Sequence, residues 1–371
     1  MVAVMSAAVY HGRGDIRVAE RAVPQARPGE LLVRVAAVGV CGSDSGEWHH
    51  GPVQHPVEAR HPASGHLGPV VPGHEFSGIV EGIGDGVDPA WLGREVASCG
   101  AVACGACPPC GRGESNRCRS YVGVGLHRDG ALAGFVSTPA ESCVVVDGLG
   151  LSLDEAALCQ PMAIAVHCIS RAGEVAGQTV VVLGVGGIGT FLTYALVEAG
   201  ARVIAVDLDA ERLEIASELG AHRVVRSAGT ESDAAAVREA IGSEELRVVF
   251  EVSGTAGGLR TAIEISPPGT RVVAVGIQAR PVELDLAALT VRELTIIGTN
   301  ALVRETDFPH AVELVARRAG RWDLVAPWVL PLSELVEGAL RPMSEGKARA
   351  VKTLIDPWAT ERRPIRGGSA T

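Results

Sequence analysis

The chain has 371 residues, a hydrophobic content of 47% and a net charge of −10. That length exceeds what a single core usually serves, so two domains are expected, and the acidic balance argues against nucleic acid or an anionic membrane as partner. No stretch approaches the roughly 20 apolar residues that span a bilayer, and the start Met1-Val2-Ala3-Val4-Met5 has no basic leader segment.

The first part reads as β. Leu31–Val35 and Gly78–Gly82 are short apolar runs bounded by Gly and Pro. Between them stands Cys41-Gly42-Ser43-Asp44. The stretch from Ser45 to Pro72 is rich in His, Pro and Gly without a usable period, so a long loop is expected there. Its histidines at 49, 50, 55, 61 and 66 read as solvated, with His49 or His50 as the one to line a cleft. Gly73-His74-Glu75 follows. A thiolate, an imidazole and a carboxylate with one position left open suit a zinc ion that does chemistry, acting as a Lewis acid on an alcohol or carbonyl oxygen. Any one of Cys41, His74 or Glu75 alone would read as structural. Ser43, two residues beyond Cys41, is placed to pass a proton, its plain alternative being a turn hydrogen bond. Asp44 reads as a turn or supporting acceptor.

Cys104, Cys107, Cys110 and Cys118 follow the spacing C-x2-C-x2-C-x7-C, with Gly and Pro between them. Four thiolates close a tetrahedral shell around one zinc, so this ion is structural. The lobe, about 99–120, is too poor in apolar residues to fold without its metal. Five of the nine cysteines thus fall in metal patterns, which fits a reducing cytoplasm. Cys99, Cys143, Cys159 and Cys168 lie in apolar context and read as buried, inert thiols.

From about Thr179 the texture alternates. Strands are expected at Thr179–Leu183, Arg202–Asp207, Arg223–Arg226, Arg247–Glu251, Arg271–Gly276 and Leu294–Gly298, with helices such as Phe191–Glu198 and Ala210–Leu219 between them. Six strands with crossover helices describe a doubly wound parallel sheet. Gly184-Val185-Gly186-Gly187-Ile188-Gly189 matches G-x-G-x-x-G at a strand end and opens a helix, the context that gives the motif its meaning. Asp207 ends the next strand, where a carboxylate accepts the adenosine ribose hydroxyls and repels a 2′-phosphate, favouring NAD over NADP. Arg212, one turn into the following helix, is the counter-argument. After Thr299 the pattern is mixed, with a helix near Phe308–Arg318, a run Leu335–Leu340 and a strand Lys352–Ile355 that rejoins the first domain. The tail from Ala359 to Thr371 is rich in Arg, Gly and Ser and is expected to be loose.

Together these residues resemble the zinc-containing branch of the medium-chain dehydrogenase/reductase superfamily over nearly the whole chain. Cys41-Gly42-Ser43-Asp44, the loop with Gly51-Pro52 and His61-Pro62, and Gly73-His74-Glu75-Phe76-Ser77-Gly78 are similar to the (R,R)-butanediol dehydrogenases, with sorbitol and threonine dehydrogenases as relatives. The resemblance implies an α/β chain with a GroES-like β-rich catalytic domain, 1–159 with 300–371, and a Rossmann NAD-binding domain, 160–299. It implies catalytic zinc at Cys41, His74 and, in some states, Glu75, hence two zinc ions per chain when the four-cysteine lobe is counted. It also implies a homodimer or homotetramer formed through the edge of the Rossmann sheet, here Leu294–Gly298. One departure matters. In Leu158-Cys159-Gln160-Pro161-Met162-Ala163 the polyol and butanediol enzymes usually carry Glu before the Pro, whereas this chain has Gln160. Some sugar dehydrogenases use Gln there as a zinc ligand, and one negative charge fewer makes the ion a stronger Lewis acid. Ala133-Gly134-Phe135-Val136 also departs from the family, with no chemical meaning attached.

The expected activity is hydride transfer between NAD and a secondary alcohol or ketone, a small molecule of the vicinal diol, acyloin or polyol class. A biosynthetic dehydrogenase of a sugar or cyclitol alcohol is the other enzyme reading. A catalytically silent nucleotide-binding protein is a third, opposed by the retention of Cys41, His74, Glu75 and Ser43.

Overall fold

The computed structural model describes residues 3–229, 233–278 and 280–368. The chain forms two compact units, Met1–Ala163 with Leu302–Thr371, and Ile164–Ala301.

The first unit is built on the strand Glu30–Gly39, whose apolar residues are buried. It pairs antiparallel with Glu75–Ile83, with Phe135–Pro139 and with Leu354–Asp356. Leu31, Val33, Val35, Phe76, Val96 and Leu132 centre the core. The register slips between Val35 and Ala37. The backbone there is satisfied from outside the ladder, because Val35 N–H donates to Gly134 O at 3.0 Å and Trp358 Nε1 donates to Val35 O at 2.8 Å. Glu30 opens this strand as a buried acid, paired with Arg128 at 2.6 Å and accepting the Ser137 hydroxyl. Burial pushes its carboxyl up, but the guanidinium and the hydroxyl outweigh that and hold it below the ordinary value.

Two expectations are corrected in this unit. The start of the supposed 45–72 loop is helical, since Gly42–His50 forms a nine-residue helix. The helix is held from outside, by Tyr10 Oη donating to Glu47 O at 3.0 Å and Ser45 Oγ donating to Leu340 O at 2.9 Å. The tail is not loose up to Gly368. Arg363–Pro364 pairs with Trp328–Pro331, and Arg363 makes a bidentate pair with buried Asp154, at 2.5 and 2.9 Å. The buried carboxylate of Glu155 accepts from Gly320 N and from Gly368 N, each at 2.7 Å. The tail's Arg and Gly residues are thus partners for buried acids, and only 369–371 lie outside the described residues.

The second unit is a six-stranded, wholly parallel sheet. Its order is Arg223–Arg226, Arg202–Asp207, Thr179–Leu183, Leu246–Glu251, Arg271–Ala274 and Thr295–Gly298. Val181, Ile204, Val249 and Val272 are fully buried at its centre. Strand order reverses between Thr179–Leu183 and Leu246–Glu251, so the crevice at the carboxyl ends of these two strands is where such a sheet takes its ligand. This is the expected doubly wound sheet. No described helix is long and apolar enough to cross a membrane.

Candidate metal centres and dinucleotide cleft

Cys41 directly precedes the helix Gly42–His50 and caps it, its backbone N–H donating to Asp44 Oδ2 at 2.9 Å. His74 and Glu75 lead into the strand Glu75–Ile83. They follow Gly73, whose φ of +96° and whose approach to Leu132 N, 2.8 Å from where a Cβ would stand, exclude any other residue. Sequence-distant segments thereby bring Cys41, His74 and Glu75 together, with their ligand atoms all within 4.8 Å of one another.

The electrostatics of this group are one-sided. His74 Nδ1 lies 3.7 Å from Asp44 Oδ1, and both atoms are buried without a hydrogen-bond partner. Burial works against charge on His74, yet Asp44 and Cys41 overcome it and hold the ring's pKa up to about 10. Buried anionic donors in excess, with unsatisfied polar atoms beside them, are the surroundings of a cation, so these residues fit a zinc ion. Glu75, 0% exposed, is also gripped by Lys352, 4% exposed, whose Nζ stands 3.0 and 2.7 Å from the two carboxylate oxygens and 3.2 Å from Val40 O. Sequence reasoning missed Lys352. Its signal was compositional, since it is one of only two lysines in the chain and opens an apolar strand run.

Ser43 lies in the first turn of the helix after Cys41. Gln160 is buried in the first turn of Cys159–Ala172, and among the described residues no hydrogen bond joins it to Cys41, His74 or Glu75. His49 and His50 end the Gly42–His50 helix, and His50 is exposed. The other loop histidines are not simply solvated. His55 is buried against the Tyr10 ring, with Nδ1 2.9 Å from Leu126 O, and His61 stacks on His127 at 4.2 Å. Burial of His127, reinforced by His61, pulls that imidazole down to about 4, so the stack is of neutral rings. Apolar and aromatic neighbours from distant segments made these positions interior.

The sulfur atoms of Cys104, Cys107, Cys110 and Cys118 also lie within 4.8 Å of one another. Backbone amides point at them, with Cys104 N and Ser120 N donating to Cys118 Sγ at 3.2 and 3.3 Å. Amides of Arg119 and Cys110 bring Cys107 down to about 6, whereas burial and its thiol neighbours push Cys110 up to about 12. Four converging sulfurs, with amides to stabilise negative charge, fit a closed zinc shell. The lobe is tied to the segment after the second unit by Ser115 Oγ donating to Glu305 Oε2 at 2.6 Å. Cys99, Cys143, Cys159 and Cys168 are all buried.

In the second unit the turn Gly184–Gly189 follows the strand Thr179–Leu183, and Gly187–Glu198 is the helix it opens. Gly184 has φ +95° and packs on Ser253 N, leaving no room for a Cβ. Gly186 caps the helix; Gly187, Ile188 and Gly189 form its first turn. Asp207 braces the turn, Oδ2 accepting Val185 N at 2.7 Å and Oδ1 accepting Asp209 N at 3.0 Å. Each carboxylate oxygen has a further lone pair, so ribose hydroxyls are still within its capacity. Arg212 lies 3.8 Å from Asp209 and beside Gly186. The glycine turn at a helix N-terminus fits a pyrophosphate.

Comparison with known proteins agrees with this geometry. Residues 27–148 match the alcohol dehydrogenase GroES-like domain, and residues 187–317 match the zinc-binding dehydrogenase family. An erythritol/L-threitol dehydrogenase of Mycolicibacterium smegmatis is 31% identical, over 95% of this chain and 97% of that one. The structure of 2R,3R-butanediol dehydrogenase from Bacillus subtilis superposes with a TM-score of 0.86 at 30% identity, covering 95% of this chain and 99% of that one. A zinc-binding dehydrogenase from Sinorhizobium meliloti bound to NADP superposes with a TM-score of 0.82 at 30% identity, covering 96% and 100%. With both domains matched and relatives aligned end to end, this chain belongs to the zinc-containing medium-chain dehydrogenase/reductase superfamily and is a zinc-dependent, nicotinamide-linked alcohol or polyol dehydrogenase.

Proposed function

We propose that the substrate is a secondary alcohol with a neighbouring oxygen, a vicinal diol, acyloin or polyol, and that the cofactor is NAD. The observation that carries the reading is the convergence of Cys41, His74 and Glu75 in a buried, anion-rich group. Butanediol and threitol, the substrates in the names of two relatives, both belong to that class. When bound, zinc supplies Lewis acidity at the alcohol oxygen and NAD takes the hydride, so the balance is alcohol plus NAD+ giving ketone, NADH and one proton. Cys41, His74 and Glu75 would hold the zinc, and Lys352 fixes the carboxylate of Glu75. The Ser43 hydroxyl receives the alcohol proton and passes it outward. Gln160 has no part in that transfer, because an amide is not a base near neutral pH. Asp207 selects NAD through its carboxylate. Thiolate ligands suit a reducing compartment, the cytoplasm.

A screen of 2,3-butanediol stereoisomers, acetoin, sorbitol, xylitol, threonine and simple alcohols, read as NADH formation or consumption, tests the substrate class. Diols or polyols should exceed simple alcohols in kcat/KM, and NAD should exceed NADP. Asp207→Ser should narrow the cofactor preference, with Arg212 left to meet the phosphate. A wild-type enzyme that runs faster with NADPH at limiting concentration contradicts the assignment.

Ser43→Ala should lower kcat on the order of 10²-fold, the usual loss of a proton-transfer group, and considerably more than Gln160→Ala, with zinc content checked in both. Equal, small losses would remove Ser43 from the proton path.

The same reading makes the protein a homodimer or homotetramer through the sheet edge at Thr295–Gly298. Ile296 on that strand is exposed, and so are Leu286 and Val291 on the neighbouring helix Leu286–Val291. An apolar edge of this kind needs covering. Light scattering at micromolar concentration should give twice or four times the chain mass, and a monomer counts against the edge.

A further inference from the structure

Glu251 ends the strand Leu246–Glu251 and is 0% exposed. Three buried acids elsewhere in the chain have cationic partners. Glu30 has Arg128, Glu75 has Lys352 and Asp154 has Arg363. Glu251 has none. Its Oε1 accepts the Ser253 hydroxyl and Gly254 N at 3.2 Å, and its Oε2 accepts Gln278 Nε2 at 3.3 Å. Among the described residues no Lys, Arg or His stands within ion-pair distance of it. These neutral donors favour the ionised carboxylate. So does the ten-residue helix Ala256–Ile265, since a Cβ on Gly258 in its first turn would stand 2.6 Å from Glu251 Oε1. Burial pushes the carboxyl the other way, above its ordinary value. A buried negative charge without a positive partner is costly, so a positive charge brought close to it is stabilised.

The position says which charge that is. Glu251 pairs with Leu183, the residue before Gly184, on the two strands between which the order reverses. A dinucleotide lies across the crevice at that point, one mononucleotide to each half of the sheet. Asp207 and the glycine turn belong to the half that takes the adenosine side. Glu251 ends the first strand of the other half, the one left for the nicotinamide nucleotide. It also organises that half's loops, its carbonyl accepting Val275 N at 2.8 Å and Gly276 N at 2.9 Å. The oxidised nicotinamide ring carries a positive charge, and the reduced ring carries none.

We propose that Glu251 sets the redox preference of the cofactor site, its unpaired carboxylate favouring NAD+ over NADH. This rests on the dinucleotide reading of the crevice and adds a residue that biases the bound pair towards the oxidised form, so that NAD+ is captured in preference to NADH and bound NADH is made the stronger reductant.

The test is the pair of dissociation constants, NADH by fluorescence titration and NAD+ by calorimetry, on zinc-loaded wild-type, E251Q and E251D proteins at pH 8. E251Q keeps an acceptor for Ser253 and Gly254 but removes the charge. The ratio Kd(NAD+)/Kd(NADH) should then rise at least about tenfold, the effect of a unit charge about 12 Å away at an effective dielectric of about 20, and more if the ring lies closer. E251D keeps the charge on a shorter arm, so it should weaken both forms together and leave the ratio near wild type. An unchanged ratio in E251Q, whether or not both affinities fall, would reduce Glu251 to packing and overturn the proposal. If E251Q does not accumulate as folded protein, a ratio in E251D shifted away from wild type overturns it equally. Wild-type protein that binds neither form would sink the dinucleotide reading itself, a different failure from an unmoved ratio.

Discussion

The ion pair of Lys352 with Glu75, closed off from water, is the contact on which the catalytic unit turns. Removing a lysine and a glutamate from water costs several kcal/mol for each, so such a pair is not kept for stability alone. Here it joins three things. The carboxylate belongs to the candidate metal group, the ammonium also meets Val40 O just before Cys41, and Lys352 leads into Leu354–Asp356, the strand that brings the C-terminal segment back onto Glu30–Gly39. Deleting either partner leaves an uncompensated buried charge, at about 3–5 kcal/mol. With His74 neutral, as a metal-bound imidazole is, the negative charge of Cys41, Asp44 and Glu75 exceeds what Lys352 offsets, and a divalent ion would balance that excess.

Charge is used by a related logic in the second unit. Asp207 and Glu251 both end strands of the parallel sheet at its carboxyl edge. Asp207 is braced by backbone amides with lone pairs to spare, which suits hydroxyl recognition. Glu251 is buried and lacks a cation, which suits attraction of a charge that comes and goes with the reaction. In the proposed reading, Asp207 would select the cofactor and Glu251 would respond to its redox state.

Much of this architecture was legible in the chain. Thr179–Leu183 and Arg202–Asp207 have the bounds their apolar runs suggest, because strands covered on both faces read as continuous hydrophobic stretches. The four-cysteine pattern was visible because ligand types are few and its spacing is short, whereas Cys41 and His74-Glu75 lie far apart in sequence and were joined only by the family resemblance. What could not be read depends on partners distant in sequence. The helix Gly42–His50 contains two glycines and little apolar periodicity, and it exists because Tyr10 and Leu340 hold it. Lys352 pairs across 277 positions, and Arg363 finds Asp154 across 209. His55 and His61 read as solvated loop residues because nothing local marks their contacts with Tyr10 and His127.

The central claim is that the chain carries two zinc sites of different character, a closed sulfur shell and an open Cys-His-Glu site that does the chemistry. Elemental analysis of zinc in freshly purified wild-type and Cys41→Ser proteins, each paired with a dehydrogenase assay and a circular dichroism spectrum, tests it most directly. The account predicts about two zinc ions per chain in the wild type and about one in Cys41→Ser, with the fold retained and the activity lost. Two ions in the variant, or activity that survives loss of the second ion, would contradict it.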